Sequence, residues 1–326
     1  MNVVFLVFNR PKLTVKVFAR IAQAKPDKLF LVADGPQASC LDDIEKVRQV
    51  REIVSRVDWP CEVFHAYSEV NLGCKRRVAS GLDWTFSLVE DAIILEDDCL
   101  PDPSFFSFCQ ELLERYRDDE RIMQIGGSDF LRGKRKFRSS YYFSKYAHMW
   151  GWATWRRAWK HYDVDMQTWP EFRDSGKFTM VCPDPAESSY WIRGFDLVHK
   201  GEFDTWDFQW QYACWVRHGL SVLPAVNLVT NIGAGTDATH TTSNEWYMGL
   251  PSGSIGMLVH PDCILEDKKA DAITFKTRFQ SMETPWWLRL LRVVGSKWTY
   301  GALIRKTPLL GQLWAKWRAG RDKPKL

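Results

Sequence analysis

Short apolar runs alternate with amphipathic stretches along the first 125 residues. Residues 3–8 form a continuous apolar run, followed by Asn9-Arg10-Pro11 and a helical pattern to about residue 24. A second run at 29–33 ends in Asp34-Gly35-Pro36, and a charged helix is expected over 41–56. Residues 61–66 read as a third strand, and Asn71-Leu72-Gly73 opens a helix over 74–89. The run at 92–95 ends in Glu96-Asp97-Asp98, a helix is expected at 104–116, and a strand at 122–125. Brief buried runs separated by helices predict an α/β, mostly parallel sheet with helices on both faces. Ligands of such sheets bind beyond the carboxyl ends of the strands. Asn9-Arg10, Asp34, the 69–73 segment and the 96–98 triplet all fall at such ends.

Beyond residue 126 the alternation breaks. A basic loop is expected at 130–140, a Trp-rich helix at 150–162, a helix at 206–219 and a strand-like run at 220–231. There is no internal repeat and no low-complexity linker. The second half therefore reads as an elaboration of the first rather than as an independent domain.

A 326-residue chain with 45% hydrophobic and 26% charged residues has the composition of a folded globular protein. No apolar run of roughly 18 residues is present, so no helix is expected to span a bilayer. The first residues read as a buried strand rather than a signal peptide. Eight scattered cysteines lack zinc spacing and read as reduced thiols of a cytoplasmic protein. The net charge of +4 hides an asymmetry: residues 284–326 carry ten Lys/Arg against Asp322 alone, which leaves the rest of the chain at −5. That tail also holds Trp286, Trp287, Trp298, Trp314 and Trp317. Leu310, Leu313, Trp314 and Trp317 share one helical face, with Lys316, Arg318 and Arg321 off it. Such a helix suits the headgroup region of a membrane, on the inner face of the plasma membrane. The acidic body, with no nucleic-acid module, argues against a nucleic-acid partner. Seventeen tryptophans are a large number, and flat aromatic faces suit sugar rings. Trp152, Trp155 and Trp159 could equally form the core face of a helix.

Three adjacent carboxylates at a strand end repel one another unless a cation is present. Mg2+ and Mn2+ take oxygen ligands, often one or two carboxylates plus substrate phosphates. Glu96-Asp97-Asp98 after an apolar strand resembles the Asp-x-Asp-type motif of GT-A fold glycosyltransferases. The Glu-Asp-Asp form is similar to that of N-acetylglucosaminyltransferase I-like and family-2-like enzymes. Phe8-Asn9-Arg10-Pro11, Val32-Ala33-Asp34-Gly35 and Asn71-Leu72-Gly73 with Lys75-Arg76-Arg77 follow in the expected order, and the resemblance covers roughly residues 1–250. It implies that Asp98 contacts Mn2+ or Mg2+, while Glu96 and Asp97 support it and touch the donor ribose or sugar. Asp34 would accept from the nucleotide base, Asn9 and Arg10 would line the same pocket, and Arg76 or Arg77 would neutralise the diphosphate. Cations on the first turn of a helix add to its dipole, which also suits phosphate.

Inverting transfer needs a base on the acceptor hydroxyl and a Lewis acid on the leaving diphosphate. Asp207, at a helix start between Trp206 and Phe208, resembles the carboxylate that such enzymes place there; Asp129 is its rival. His240, in a glycine-containing loop, would be a second metal ligand by the same resemblance. Met149-Trp150-Gly151-Trp152 resembles an acceptor-side segment of some galactosyltransferases, without the acidic pair that follows there. Trp150, Trp152 and Trp206 remain as candidate sugar platforms. The expected organisation is a GT-A domain over 1–283, with a nucleotide-binding half (1–125) and an acceptor half (126–283), and a membrane-associating tail over 284–326. The expected activity is metal-dependent transfer from a nucleoside-diphosphate sugar, UDP favoured, to a surface glycan acceptor, lipid-linked. The rivals are a sugar nucleotidyltransferase and a non-catalytic carbohydrate-binding protein.

Overall fold

The computed structural model describes residues 1–233 and 247–280; His240 and the 284–326 tail lie outside the described residues. The first block runs β1 (Asn2–Val7), α1 (Pro11–Ala24), β2 (Lys28–Ala33), α2 (Leu41–Val54), β3 (Glu62–Tyr67), α3 (Gly73–Leu88) and β4 (Asp91–Glu96). It is followed by β5 (Cys99–Pro101), α4 (Ser104–Arg115), β6 (Ile122–Gly126), β7 (Tyr141–Ser144) and β8 (Trp152–Trp155). Helices α5 (Arg156–Trp159), α6 (Trp169–Asp174), α7 (Lys177–Val181), α8 (Pro185–His199) and α9 (Asp207–Val216) come next. Strands β9 (Leu220–Pro224) and β10 (Val229–Asn231) and helix α10 (Lys268–Thr274) close the order, with α10 running into a π-turn at Phe275–Phe279.

Eight strands form one sheet in the order β3-β2-β1-β4-β8-β6-β9-β7. The pairings β1–β2, β1–β4, β2–β3 and β6–β9 are parallel, and those made by β8 and β7 are antiparallel. This is the Rossmann-like, mostly parallel plan that the alternating pattern predicts. Each strand divides its side chains between two cores. Val3, Phe5 and Val7 face α1, α2 and α4, while Val4 and Leu6 face α3 and α9. Burial on both faces explains why these runs are continuously apolar rather than alternating. A third, aromatic core gathers Tyr146, Trp169, Trp191, Trp215 and Phe279 under α6–α9 and the π-turn.

Two sequence expectations fail here. The 150–162 helix is instead β8 followed by the single turn α5. Trp152 enters one core and Ala153 and Trp155 the other, because β8 is inserted between β4 and β6 with both faces covered. A doubly buried strand carries aromatic residues at spacings that also fit a helix. The 220–231 run is two strands: β9 joins the main sheet, and β10 pairs antiparallel with β5. Among the described residues no helix is long and apolar enough to cross a membrane.

Candidate functional site

The chain runs from β1 to β2 and β3 on one side, then returns to place β4 on the other side of β1. The crevice beyond the ends of β1 and β4 is thus the switch point of the sheet, where ligands of such folds bind. Leu6 pairs with Glu96, so the residues that leave the two strands arrive side by side. Arg10 leaves β1, and Pro11 takes the first position of α1, where its missing N–H costs nothing. The Arg10 guanidinium crosses the crevice. Nη1 donates to Asp98 Oδ2 at 2.9 Å and Nη2 donates to Asp97 Oδ1. Burial alone would lower the Arg10 pKa, but Asp97 and Asp98 hold it above its ordinary value.

Asp97 is 2% exposed, and its Oδ2 has no hydrogen-bond partner among the described residues. Burial pushes Asp97 up to about 6, against the pull of Arg10. Glu96, the last residue of β4, is partly accessible; burial and then Asp98 drive its carboxyl well above the usual range. The β5–β10 pair folds back over the triplet. Ile232 N donates to the Asp98 carbonyl at 2.8 Å, and Gly233 passes so close that a Cβ there would lie 2.4 Å from Asp98 Oδ2. Only glycine leaves room above that carboxylate.

The other predicted donor residues sort differently. Asp34 is 5% exposed and accepts from the N–H groups of Gly35 (2.9 Å), Leu72 (2.9 Å) and Gly73 (3.1 Å). It thereby satisfies the Leu72 and Gly73 N–H groups at the head of α3. Gly35 must be glycine, since a Cβ would meet the Val70 backbone at 2.5 Å. Asn9 donates to Asp43 Oδ1 at 2.8 Å and ties the loop to α2. Arg77, on α3, donates to the Ala66 carbonyl at the end of β3 at 3.1 Å, while Arg76 is exposed. Glu96 is held up by burial and by the charges of Asp98 and Asp97, against the pull of Arg10.

Asp207 begins α9, is partly accessible, and accepts from Thr205 Oγ1 and from Phe208 N at 2.9 Å. Cys74, in the first turn of α3, feels Glu96, Asp207 and Asp204 together, and burial with these charges pushes its thiol far up. Asp129 is 9% exposed, accepts from Leu131 N at 2.8 Å, and is pushed up to about 6 by burial.

Two of the three candidate platforms are corrected. Trp152 is fully buried and Trp206 is 4% exposed; they stack on each other at 5.6 Å inside the core. Neither can offer a face to a sugar. Trp150 stays partly accessible, two residues before Trp152, where β8 begins to pair with β4. It packs against Phe130 and Tyr247, and the Arg278 guanidinium lies 5.3 Å from its ring. Arg278 is a residue that sequence reasoning missed. The π-turn aims it among Phe130, Trp150, Tyr247 and Phe279, and its Nη1 donates to His148 Nδ1 at 3.4 Å. Burial and then Arg278 hold the His148 pKa well below its ordinary value, so the ring is neutral. Nothing in the local sequence signals this box, because its members come from four distant segments.

Among the described residues no cluster of three or more His, Cys, Asp or Glu side chains forms a closed metal cage. The site nevertheless fits a metal carried in with a phosphate ligand. Asp97 keeps an unpartnered buried oxygen, and Glu96 and Asp98 are partly accessible. Mg2+ and Mn2+ sites of one or two carboxylates completed by phosphate are common.

No family model and no curated relative matches the chain. Among solved structures, a mannosyltransferase of Pyrobaculum calidifontis in complex with GDP-Man and Mn2+ overlaps 50% of this chain and 48% of its own, at 16% identity and a TM-score of 0.34. The galactosyltransferase LgtC, as an active-site mutant, overlaps 89% and 99% at 12% identity and a TM-score of 0.37. A UDP-glucose pyrophosphorylase complexed with UDP-glucose overlaps 68% and 89% at 8% identity and a TM-score of 0.34. The chain thus spans about half the length of the mannosyltransferase. Overlaps this loose do not assign an activity.

Proposed function

We propose that this chain is a metal-dependent, inverting glycosyltransferase that moves a sugar from a nucleoside diphosphate, UDP favoured, to a surface glycan acceptor. The observation that carries the reading is the meeting of Arg10 with Asp97 and Asp98 across the switch point of the sheet. Asp98, with Glu96 beside it, would hold Mn2+ or Mg2+, which supplies Lewis-acid stabilisation of the departing diphosphate. Arg10 keeps the carboxylates in place and offers a planar fork to phosphate. Asp207 takes the proton of the acceptor hydroxyl as that oxygen attacks the anomeric carbon. Its Oδ1 is oriented by Thr205 and the Phe208 N–H. Trp150 and the Arg278 box form the acceptor-side wall. A lipid-linked acceptor and an inner-membrane-face location rest on the basic, Trp-rich 284–326 segment.

Calorimetric titration of UDP with and without Mn2+ tests the donor site. Nucleotide binding that is indifferent to metal, and an Asp98→Ala chain that binds glycan normally, would favour a carbohydrate-binding protein instead. Asp207→Asn should abolish transfer and keep donor affinity; full activity would eliminate Asp207 as the base. Deleting 284–326 should release the protein from vesicles containing anionic lipid, and unchanged partition would count against the membrane role.

A further inference from the structure

We propose that Arg10 is the resident counter-ion of the 96–98 triplet and gates the metal. A divalent cation then enters only together with the nucleoside diphosphate. The inference rests on the glycosyltransferase reading of the same site and adds an order of binding to it.

The geometry gives the clamp two unequal ends. The inner contact goes to Asp97, 2% exposed, and the outer one to Asp98, whose side chain is 15% exposed. The Arg10 backbone cannot move freely, since its carbonyl accepts from Leu13 N at 3.0 Å, Thr14 N at 2.9 Å and Thr14 Oγ1 at 2.9 Å at the head of α1. Its side chain is 18% exposed and reaches both carboxylates from one anchored backbone position. In the clamped state Asp98 Oδ2 is occupied by Nη1 at 2.9 Å. A divalent ion on that oxygen would be repelled by a guanidinium within hydrogen-bond reach. The unpartnered Asp97 Oδ2 offers the fork an alternative, a two-point grip on Asp97 alone. An incoming diphosphate offers another, because guanidinium and phosphate match in shape and charge. It also brings the oxygens with which Mg2+ and Mn2+ complete their shells. The ligand that draws Arg10 off Asp98 is therefore the ligand that completes the metal site.

The test is a Mn2+ titration followed by the paramagnetic resonance signal of the free ion, on the full chain, with and without UDP. In the native protein UDP should raise Mn2+ affinity at least tenfold. Arg10→Met should bind Mn2+ without UDP at least tenfold more tightly than the native chain, and UDP should then add little. Arg10→Lys, which keeps a charge but lacks the planar fork, should lie between the two and serves if the Met variant does not fold. If neither variant gains Mn2+ affinity while UDP still promotes it in all three, the gate is wrong and the transferase reading survives. If UDP promotes no Mn2+ binding in the native chain, both fall.

Discussion

Gly233→Ala is the smallest change that should disable the candidate site. A methyl at this position would stand 2.4 Å from Asp98 Oδ2, 2.9 Å from its Cβ and 3.0 Å from its Cγ. Ordinary contact needs about 3.5 Å, so the carboxylate and the Gly233 backbone must part by about 1 Å. The backbone cannot yield alone, because Gly233 N is tied to Asn231 Oδ1 at 2.9 Å and Ile232 N to the Asp98 carbonyl. Asp98 must therefore shift and loosen its 2.9 Å bond to Arg10. A misplacement of about 1 Å at reacting groups costs on the order of 10²-fold in rate. The weakened charge-assisted bond should cost roughly 1–2 kcal/mol of stability, less than a fully buried pair because both side chains keep some water. Gly256→Ala is the control, since a Cβ there would meet no atom within 4 Å. The assay is a calorimetric UDP–Mn2+ titration alongside urea unfolding of both variants. A Gly233→Ala chain with native nucleotide affinity and native stability would refute the placement of Gly233 over a functional carboxylate.

Asp34→Ala removes the acceptor of the Gly35 N–H and of two backbone N–H groups at the head of α3 and should cost about 2–3 kcal/mol, read as a lower urea midpoint. If it lowered nucleotide affinity and left stability untouched, the capping role would be wrong. Burial pushes the Asp271 carboxyl up to about 8, against the bonds from Ser144 Oγ and Lys145 N. The folded chain then keeps a proton that the unfolded chain loses near pH 4, so stability falls as pH rises from about 4 to about 8. The slope is at most about 1.4 kcal/mol per pH unit. Asp271→Asn should flatten that part of a plot of Tm against pH, and an unchanged slope would count against it.

The parallel block was legible because its strands are buried on both faces and its helices on one, which writes two different periods into the chain. The triplet was legible because its three acids are adjacent. What escaped depends on pairing at a distance. Asp34 could be read as a base-binding residue only while its partners, the N–H groups of Leu72 and Gly73, were unknown. Arg10 was placed in the pocket but not on the acids, since only the β1–β4 register brings them together. Trp152 and Trp206 looked like platforms because composition does not say which indoles stack on each other inside. Arg278 carried no signal, being far in sequence from every ring that surrounds it.

The sheet's two blocks meet only through β8, held to β4 over four residue pairs and to β6 over two. Anyone building chimaeras to change acceptor choice should therefore cut between β5 and β6, within the α4 region, and carry β8 with the downstream graft. A junction at 125/126 would fall inside β6 and strand it from β8 and β9, both of which arrive later in the chain. Because the β4–β8 pairing ends at Ile94 and Trp152, the register of β8 sets where the chain bearing Trp150 enters the sheet, and a graft should keep that register.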